Sequence, residues 1–421
     1  MTVVGASLAG LRAAEGLRRG GWSGEIMVVG DEPHRPYDRP SLSKQALADG
    51  AGGLPGGELR VARVAGDVRW VLGRRAETAD LTARTVTLDD GLVLGWDGLV
   101  VATGLRPARL DLPGPTRGRH VLRDRADAAA LREVLRPGAR LVVVGAGFVG
   151  CEVAATARGL GVEVDVVAPE RVPAQRTLGE LLGGVLRRAH EEHGVRFHLG
   201  TVPVGYEGGD RVEGVLLADG TRLPADAVLE AVGSVPNVSW LRGNALDLGD
   251  GVRCDGSLRV LTPTGPRPDV VACGDVARFP LPDGVPRRVE HWTSATETGR
   301  HAGAVLARYL TGVAPDDRPF APVPSFWSDQ YDLRLQSFGT IGDGDVRVLE
   351  GDPDGEVAVG YHREGVLTGV VLVGLAHQHR TYRDMVAGGS AVGTAPVVGG
   401  IALAGTTATT ALAHDGAPRS G

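Results

Sequence analysis

The sequence predicts an α/β protein with two Rossmann-like dinucleotide-binding domains and a C-terminal α+β domain that contains an antiparallel sheet. Two observations lead to this prediction. A short apolar strand, a glycine-rich turn and an apolar-periodic helix occur in that order near the start of the chain and again after residue 140. Beyond residue 320, closely spaced strand patterns replace this alternation.

The composition excludes several classes of protein. Hydrophobic residues make up 43% of the 421 residues and charged residues 23%, so sizeable cores are expected and global disorder is not. A net charge of −6 argues against binding to nucleic acid, which normally requires a basic excess. Cys151, Cys254 and Cys273 are too far apart for a disulfide framework or a metal-binding CxxC pair. The first motif begins within five residues of Met1, so we expect no secretory signal and a cytoplasmic location.

The first unit begins with a strand at residues 2–4 and the turn G-x-S-x-x-G, formed by Gly5, Ser7 and Gly10. The middle position is usually glycine because the backbone must approach a pyrophosphate, and serine is small enough to preserve that approach. The helix that follows would present its free N–H groups to the phosphates. Asp31 lies 21 residues after Gly10, which is the sequence spacing at which this motif usually has an acid that binds a ribose hydroxyl.

The second unit contains the complete motif, with Gly145, Gly147 and Gly150. The residue directly after its second strand is Ala168, so no acid occupies the usual ribose-binding position. Glu170 would favour an unphosphorylated ribose, whereas Arg171 would favour a 2′-phosphate. The sequence therefore leaves the choice between NADH and NADPH open.

The other predicted elements complete the two units and the third domain. In chain order they are a helix at 11–17, strands at 25–29, 70–93 and 99–104, a Pro- and Gly-rich linker at 107–118, a strand at 141–144, a helix at 151–160, and strands at 162–167, 227–232, 270–275, 333–338, 356–361 and 366–373. Residues 385–414 contain no Asp, Glu, Lys or Arg but are rich in Gly, Ala and Thr. This shallow apolarity favours a poorly ordered tail over a transmembrane helix, which needs about 20 strongly apolar residues.

Two dinucleotide-binding domains in one chain are typical of enzymes that hold FAD in one and NAD(P)H in the other. Residues 31–44, D-E-x-x-x-P-Y-D-R-P-x-L-S-K, resemble the flavin-side motif of ferredoxin reductases of the putidaredoxin reductase type, which serve cytochrome P-450 and Rieske dioxygenase systems. Residues 232–237, 273–275 and 326–331 resemble further motifs of this family, in the family's order and spacing. The resemblance covers residues 1–385.

The resemblance implies a FAD-containing NAD(P)H:ferredoxin reductase. Hydride would pass from the nicotinamide to the flavin, and single electrons would then pass to an iron–sulfur ferredoxin that supplies an oxygenase. The implied cofactors are FAD and NADH, with NADPH as the alternative. We expect neither nucleic acid nor a membrane as a partner, and a monomer or weak dimer.

The resemblance also implies domain boundaries. The FAD-binding domain would comprise residues 1–112 and 235–318, the NAD(P)H-binding domain residues 113–234, and the C-terminal interface domain residues 319–386. We expect residues 387–421 to form a disordered, low-complexity tail.

Specific residues are implied to hold each cofactor. Those that match FAD-contacting positions are Gly5, Ser7, Ala9, Gly10, Asp31, Arg39, Lys44, Ala76, Arg123, Gly274, Asp275, Trp292 and Trp327. Those assigned to NAD(P)H are Gly145, Gly147, Gly150, Glu170, Arg171 and Gly233. Glu152 matches the acid that faces the nicotinamide and pairs with the flavin lysine, so Lys44 and Glu152 are the candidate catalytic residues.

Lys44 is the single lysine among 45 Lys and Arg residues, which calls for a site-specific explanation. A compact ammonium can bond beside the flavin without covering the face on which nicotinamide stacks, whereas a planar guanidinium is bulkier. A cation there would also stabilise negative charge on the reduced flavin. The alternatives are a surface lysine and, for Glu152, an ordinary salt bridge at a domain interface.

The aromatic residues Phe326, Trp327 and Tyr331 cluster in a chain with only 4% aromatics. One hypothesis is an aromatic lid beside the flavin, supplied by the third domain. The other is the core of an ordinary strand.

Two other functions share this fold. A disulfide reductase or NADH peroxidase needs a cysteine just past the first βαβ unit, and residues 31–61 contain none. A flavoprotein with a signalling role is compatible with the fold alone, and it predicts slow reduction by NAD(P)H.

Overall fold

The computed structural model describes residues 1–49, 57–314, 320–342 and 344–389. Its strands, in chain order, are β1 Thr2–Val4, β2 Met27–Gly30, β3 Arg69–Leu72, β4 Ala76–Asp80, β5 Thr85–Leu88, β6 Val93–Gly95, β7 Leu99–Val101, β8 Leu105–Pro107, β9 Arg119–His120, β10 Arg140–Val144, β11 Glu163–Ala168, β12 Arg196–Leu199, β13 Pro203–Glu207, β14 Gly214–Leu217, β15 Arg222–Pro224, β16 Ala227–Glu230, β17 Ser234–Pro236, β18 Val252–Arg253, β19 Arg259–Thr262, β20 Gly265–Ala272, β21 Ala277–Pro280, β22 Pro286–Arg288, β23 Ser325–Gln330, β24 Leu333–Gly339, β25 Asp345–Gly351, β26 Val357–Arg363 and β27 Val366–Val373. Its α-helices are α1 Leu8–Arg19, α2 Gln45–Asp49, α3 Arg125–Val134, α4 Phe148–Gly159, α5 Gln175–Glu192, α6 Trp292–Leu310 and α7 His379–Ala387.

The first sheet has the strand order β19-β20-β7-β1-β2-β3 and is parallel except for its edge pair, β19 and β20. The residues of β1 and β7 are all buried, as expected for the apolar strands of a parallel sheet that is covered on both faces. The strand order reverses at β1. The turn that follows β1 therefore lies at the crevice where α/β sheets bind ligands.

The second sheet repeats this plan with five parallel strands in the order β12-β11-β10-β16-β9. Its order reverses at β10, whose four valine and leucine positions are buried. Helix α4 follows β10 as α1 follows β1, so both glycine turns join a central strand to a helix. The two predicted dinucleotide-binding units are thus present, and the predicted fold class is confirmed.

The third sheet is antiparallel, with the order β23-β24-β27-β26-β25. Helix α5 of the second unit packs on one face, where Leu178 and Leu182 meet Val359 and Tyr361. Helix α7 packs on the other face through Tyr382. The sequence patterns did not predict α5 or α7. Helix α5 is interrupted at Gly179, whose φ of 75° is not helical, and α7 has nine residues of which one is buried.

The chain crosses between the first two units through two segments that pair with each other. Strands β8 and β17 form a two-stranded antiparallel sheet. Beside it, Thr103 Oγ1 donates to the Asn237 carbonyl at 2.7 Å, and the Asn237 amide donates to the Thr103 carbonyl at 3.0 Å. The crossing point is therefore fixed by reciprocal hydrogen bonds.

Smaller sheets complete the units, with the orders β4-β5-β6, β13-β14-β15 and β18-β21-β22. Within the described ranges, no helix combines the length and the apolarity needed to cross a bilayer. The predicted disordered tail lies outside the described residues from position 390 onward.

Candidate functional site

A cleft with a volume of about 1080 Å³ opens between the first two units and the third sheet. This volume exceeds the roughly 300–1,000 Å³ of a typical single-ligand pocket. Most of the predicted site residues line the cleft, namely Ser7, Ala9, Arg39, Lys44, Arg123, Gly145, Gly147, Glu152, Glu170, Gly233, Gly274, Asp275, Trp292 and Trp327.

The remaining predicted residues do not line the cleft. Gly5, Gly10 and Gly150 pack within the turns, since a Cβ atom on Gly10 would lie 1.9 Å from the Gly5 carbonyl oxygen and one on Gly150 would lie 2.1 Å from that of Gly145. Asp31 is exposed after β2, Ala76 begins β4, and Arg171 is exposed at the turn before α5.

The two glycine turns have the same packing. A Cβ atom on Gly5 would lie 2.0 Å from the Ala102 carbonyl oxygen, and one on Gly145 would lie 2.3 Å from that of Ala231. Both residues also have a positive φ, so the lack of space and the backbone conformation each favour glycine. Gly147 differs, because a Cβ atom there would meet no atom within 4 Å. Its side of the turn is open to the cleft, where the backbone can approach a ligand.

Ser7 occupies the corresponding open position of the first turn. It is the N-cap residue of α1, but its hydroxyl caps no backbone N–H group. Instead the hydroxyl accepts a hydrogen bond from Arg39 Nε at 3.1 Å. Arg39 is also ion-paired with Glu32 and donates to the Arg123 carbonyl at 2.8 Å. This bonding holds the Arg39 cation beside the first turn, with Glu32 as its carboxylate partner, whereas the neighbouring Asp31 is exposed.

Asp275 lies at the carboxyl end of β20, where the side chain is 19% exposed. Burial raises the pKa of this carboxyl, and the nearby Arg123 guanidinium, 3.4 Å away, opposes that shift. The preceding residue is Gly274, where a Cβ atom would lie 2.7 Å from Ala9 Cβ. A carboxylate is therefore presented beside the first turn without a side chain in between.

Lys44 and Glu152 meet where the first two units join. Lys44 Nζ lies 2.6 Å from Glu152 Oε2, with both side chains largely buried at 14% and 8% exposure. The Ser43 hydroxyl donates to the same carboxylate oxygen at 2.6 Å, and the Ser328 hydroxyl donates to Oε1 at 2.6 Å. The predicted ion pair is present, and the third sheet supplies one of its partners.

In the structure, only part of the predicted aromatic cluster lines the cleft. Trp327 packs edge-on against Trp292 at a centroid distance of 6.0 Å, and both line the cleft. Phe326 also lines the cleft and lies 4.9 Å from Phe148. Tyr331 does not line the cleft, because it follows the end of β23 and stacks on His193 at 3.7 Å. The lid hypothesis therefore applies to Phe326 and Trp327 only.

At the far end of the cleft, the cation beside Glu170 is Arg176. Arg176 Nε lies 2.8 Å from Glu170 Oε1, and both residues line the cleft. Arg171 does not line the cleft, and its backbone N–H donates to Gln175 Oε1 at the start of α5. The sequence could have indicated Arg176 through its position as the second residue of α5, but that helix was not predicted.

The three cysteines lie away from this chemistry. None of them lines the cleft, and all are free and buried. Burial raises the pKa of the Cys151 and Cys273 thiols to about 12, so both stay protonated at neutral pH. A thiol-based redox step therefore has no reactive group in the cleft.

These features fit two dinucleotides bound end to end. The open position at Gly147 and the small side chain of Ser7 allow backbone approach to a pyrophosphate, and the N-termini of α1 and α4 favour anions. Asp275 and Glu170 offer carboxylates for hydroxyl groups at the two ends. Lys44, Glu152 and the tryptophan pair line the same cleft as the two turns.

The chain is similar to known protein families and to individual proteins whose names fit the site described above. Residues 1–299 match the family described as pyridine nucleotide-disulphide oxidoreductase, and residues 325–398 match the reductase C-terminal domain. The ferredoxin–NAD(+) reductase component of the biphenyl dioxygenase system of Paraburkholderia xenovorans is 38% identical over 358 residues, which is 84% of each chain. Rhodocoxin reductase of Rhodococcus erythropolis is 36% identical, over 92% of this chain and 89% of the relative.

Solved structures show the same similarity. Putidaredoxin reductase, in its covalent complex with putidaredoxin, superposes with a TM-score of 0.83 at 30% identity and covers 92% of both chains. A NAD-dependent persulfide reductase from A. fulgidus is 21% identical with a TM-score of 0.79, and it shares the fold. The chain belongs to the pyridine nucleotide-disulphide oxidoreductase family.

Proposed function

We propose that this member of the family is a FAD-containing NAD(P)H:ferredoxin reductase, which transfers electrons to an iron–sulfur ferredoxin that supplies a monooxygenase or dioxygenase. The observation that carries the proposal is one cleft shared by both glycine turns and by the buried Lys44–Glu152 pair. The relatives named as ferredoxin reductase components of dioxygenase systems support the choice of electron acceptor.

FAD and a nicotinamide nucleotide are the cofactors. We assign FAD to the first unit, held at the turn by Ser7 and Ala9 and on its flank by Arg39, Arg123 and Asp275. We assign the nicotinamide nucleotide to the second unit, held by Gly145, Gly147, Gly233 and Glu170. Bound FAD would accept hydride from the nicotinamide and release the two electrons singly to the iron–sulfur protein.

The chain's own residues orient the reactants and stabilise charge. Lys44 presents an ammonium near the join of the two units, where negative charge increases during hydride transfer. Glu152 offsets the cost of burying that cation and is itself satisfied by Ser43 and Ser328. Trp292, Trp327 and Phe326 line the same cleft and would limit the access of water to it. No side chain is required as a nucleophile.

The finer assignments follow from the same proposal. We assign residues 1–112 and 235–318 to the FAD-binding domain, 113–234 to the NAD(P)H-binding domain and 319–386 to the interface domain. A cytoplasmic location is supported by the three free, buried cysteines.

The test is anaerobic stopped-flow reduction of the FAD-loaded protein by NADH, followed by NADH-dependent reduction of cytochrome c with and without an added ferredoxin of a related dioxygenase system. We expect rapid reduction of the bound flavin and a cytochrome c rate that depends on the ferredoxin. A protein that takes up no FAD would overturn the proposal. Slow reduction with a long-lived charge-transfer complex would favour the signalling function instead.

A further inference from the structure

A chain of hydrogen bonds runs from the third sheet to the Lys44–Glu152 pair. Its link to the pair is Ser328, whose hydroxyl lies 2.6 Å from Glu152 Oε1. Behind it, Gln330 Nε2 lies 3.0 Å from Ser328 Oγ, and Gln330 Oε1 lies 2.7 Å from His190 Nε2. Ser328 and Gln330 are 1% exposed and His190 is fully buried, so water does not compete for these bonds.

The Glu152 carboxylate at the end of this series of hydrogen bonds fixes which group donates and which accepts in each of them. An ionised Glu152 can only accept, so Ser328 donates its proton to Glu152 and accepts from the Gln330 amide group. The Gln330 carbonyl then faces His190 and accepts from Nε2–H. His190 Nδ1 is left as the acceptor for the Tyr331 hydroxyl at 3.3 Å. Burial lowers the pKa of His190, which agrees with a neutral ring that has one donor and one acceptor.

The two oxygens of Glu152 have different partners. Oε2 binds Lys44 and Ser43, which belong to the first unit, whereas Oε1 binds Ser328 of the third sheet. A carboxylate held at both oxygens cannot rotate about its last bond without losing a buried hydrogen bond. Because Gln330 holds the Ser328 hydroxyl, the bond to Oε1 also has a fixed direction.

We propose that Ser328, held by Gln330, is a positioning residue that fixes the Glu152 carboxylate and, through it, the Lys44 ammonium. Ser328 and Gln330 do not line the cleft, so they would then set the geometry of the hydride-transfer site without touching either cofactor. The alternative is that these bonds only attach the third sheet to the second unit. The kinetic part of the test rests on the proposed function, whereas the spectroscopic part does not.

The sole lysine makes the proposal directly measurable. Protein grown with 13Cε-lysine gives a single lysine methylene signal, which reports on Lys44 without assignment. The signal is recorded for FAD-loaded wild type, Ser328→Ala and Ser328→Thr. Ser337→Ala is the matched control, since Ser337 is also 1% exposed and lies on the neighbouring strand opposite Phe326, outside this hydrogen-bonded chain.

We expect the lysine signal to move in Ser328→Ala and to return in Ser328→Thr, which keeps the hydroxyl. The rate constant of flavin reduction at saturating NADH should fall in Ser328→Ala by about 10- to 100-fold, the usual effect of a small misplacement, while the Kd of NADH stays within about twofold. The threonine variant should recover most of this rate. Ser337→Ala should leave both readouts at wild-type values.

A lysine signal at the wild-type position in a folded Ser328→Ala variant would overturn the proposal. If that variant does not fold, Gln330→Met decides the question, because it removes the bond that orients Ser328 and keeps a similar volume. A moved lysine signal there supports positioning, and an unmoved one overturns it. Failure of the proposed function has a separate sign, namely a wild-type protein that NADH does not reduce while the lysine signal still responds to Ser328.

Discussion

Lys44 Nζ and Glu152 Oε2 lie 2.6 Å apart at the join of the two glycine-turn units, so the only lysine of the chain is ion-paired beside the proposed reaction site. Their positions are 108 residues apart in sequence. The pair therefore forms only when the two units pack together, and it links the geometry of the cleft to the relative placement of the units.

Replacing Lys44 should slow hydride transfer more than it weakens nucleotide binding. The ammonium is needed most as negative charge increases at the flavin, an interaction weighted toward the transition state. We expect Lys44→Met to lower the rate constant of flavin reduction by roughly 10²–10³-fold with little change in the Kd of NADH, as measured by stopped-flow absorbance. An unchanged rate constant would exclude this role.

Two further variants control for the Lys44 result. Loss of one partner of a buried ion pair typically destabilises by about 3–5 kcal/mol, so Lys44→Met is also compared in the Glu152→Gln background. Lys44→Arg keeps the charge but not the compact shape, and we expect an intermediate rate.

Gly147→Ala should weaken nucleotide binding without disturbing the fold. Among the described residues beyond its chain neighbours, the added methyl group meets no atom within 4 Å, and the backbone φ is −75°, so the protein tolerates alanine. The same methyl group occupies the space through which a pyrophosphate approaches the turn. We expect the KM for NADH to rise by about tenfold or more, equivalent to about 1.4 kcal/mol, at an unchanged thermal midpoint.

Gly159→Ala, at the other end of the same helix, is the control for Gly147→Ala. It also adds a methyl group to open space and should leave the KM unaltered. Equal KM values for the two variants would contradict the assignment of the second turn to the nucleotide.

Asp275→Ala should weaken retention of FAD. The carboxylate is presented beside the first turn, and a hydrogen bond to a charged group contributes about 1.5–3 kcal/mol. This corresponds to an increase of about 10- to 150-fold in the Kd of FAD, measured by titration of the apoprotein with FAD fluorescence. Asp247→Ala is the control, since Asp247 pairs with Arg278 and does not line the cleft. A Kd that rises equally in both variants would point to general destabilisation.

Coenzyme choice should depend on Arg176 rather than Arg171. Arg176 neutralises Glu170 and is 83% exposed, so it can turn to meet a 2′-phosphate. We expect a preference for NADH over NADPH of less than about tenfold in kcat/KM. Arg176→Ala should reduce kcat/KM for NADPH more than for NADH, whereas Arg171→Ala should change neither. A wild-type preference for NADPH of tenfold or more would overturn the expectation of NADH.

His190 should make the protein less stable in mild acid. Burial lowers the pKa of His190 below its usual value of 6.5. Below pH 6.5 the unfolded chain therefore binds a proton that the folded protein does not, and stability falls until the pH reaches the folded-state pKa. His190→Gln should flatten this decline in the thermal midpoint between pH 7.5 and 5, whereas His379→Gln, on the exposed start of α7, should not. Parallel curves for wild type and His190→Gln would contradict the prediction.

The sequence by itself determined the features that depend on near neighbours. Gly5 and Gly10 pack against each other within one turn, as do Gly145 and Gly150, so the spacing alone indicates both phosphate-binding turns. The buried strands that precede these turns follow from their apolar runs, and the presence of two similar units follows from the repeated βαβ pattern. The Lys44–Glu152 pair was predicted from the family resemblance, through the motif in residues 31–44 and the match at Glu152, rather than from spacing, and the structure contains it.

Only the tertiary structure decided which distant residues complete the site. Ser328 reaches Glu152 across 176 positions because the third sheet packs against α4. Arg176 lies beside Glu170 in the cleft because it belongs to a helix that begins after a left-handed residue, Ala174 at φ 51°, and that the local pattern did not reveal. Tyr331 leaves the aromatic cluster because β23 ends before it. Turns and strands depend on contacts between residues that are close in sequence, so a local pattern can predict them. The positions of Ser328, Arg176 and Tyr331 depend on the packing of separate units, which no local pattern encodes.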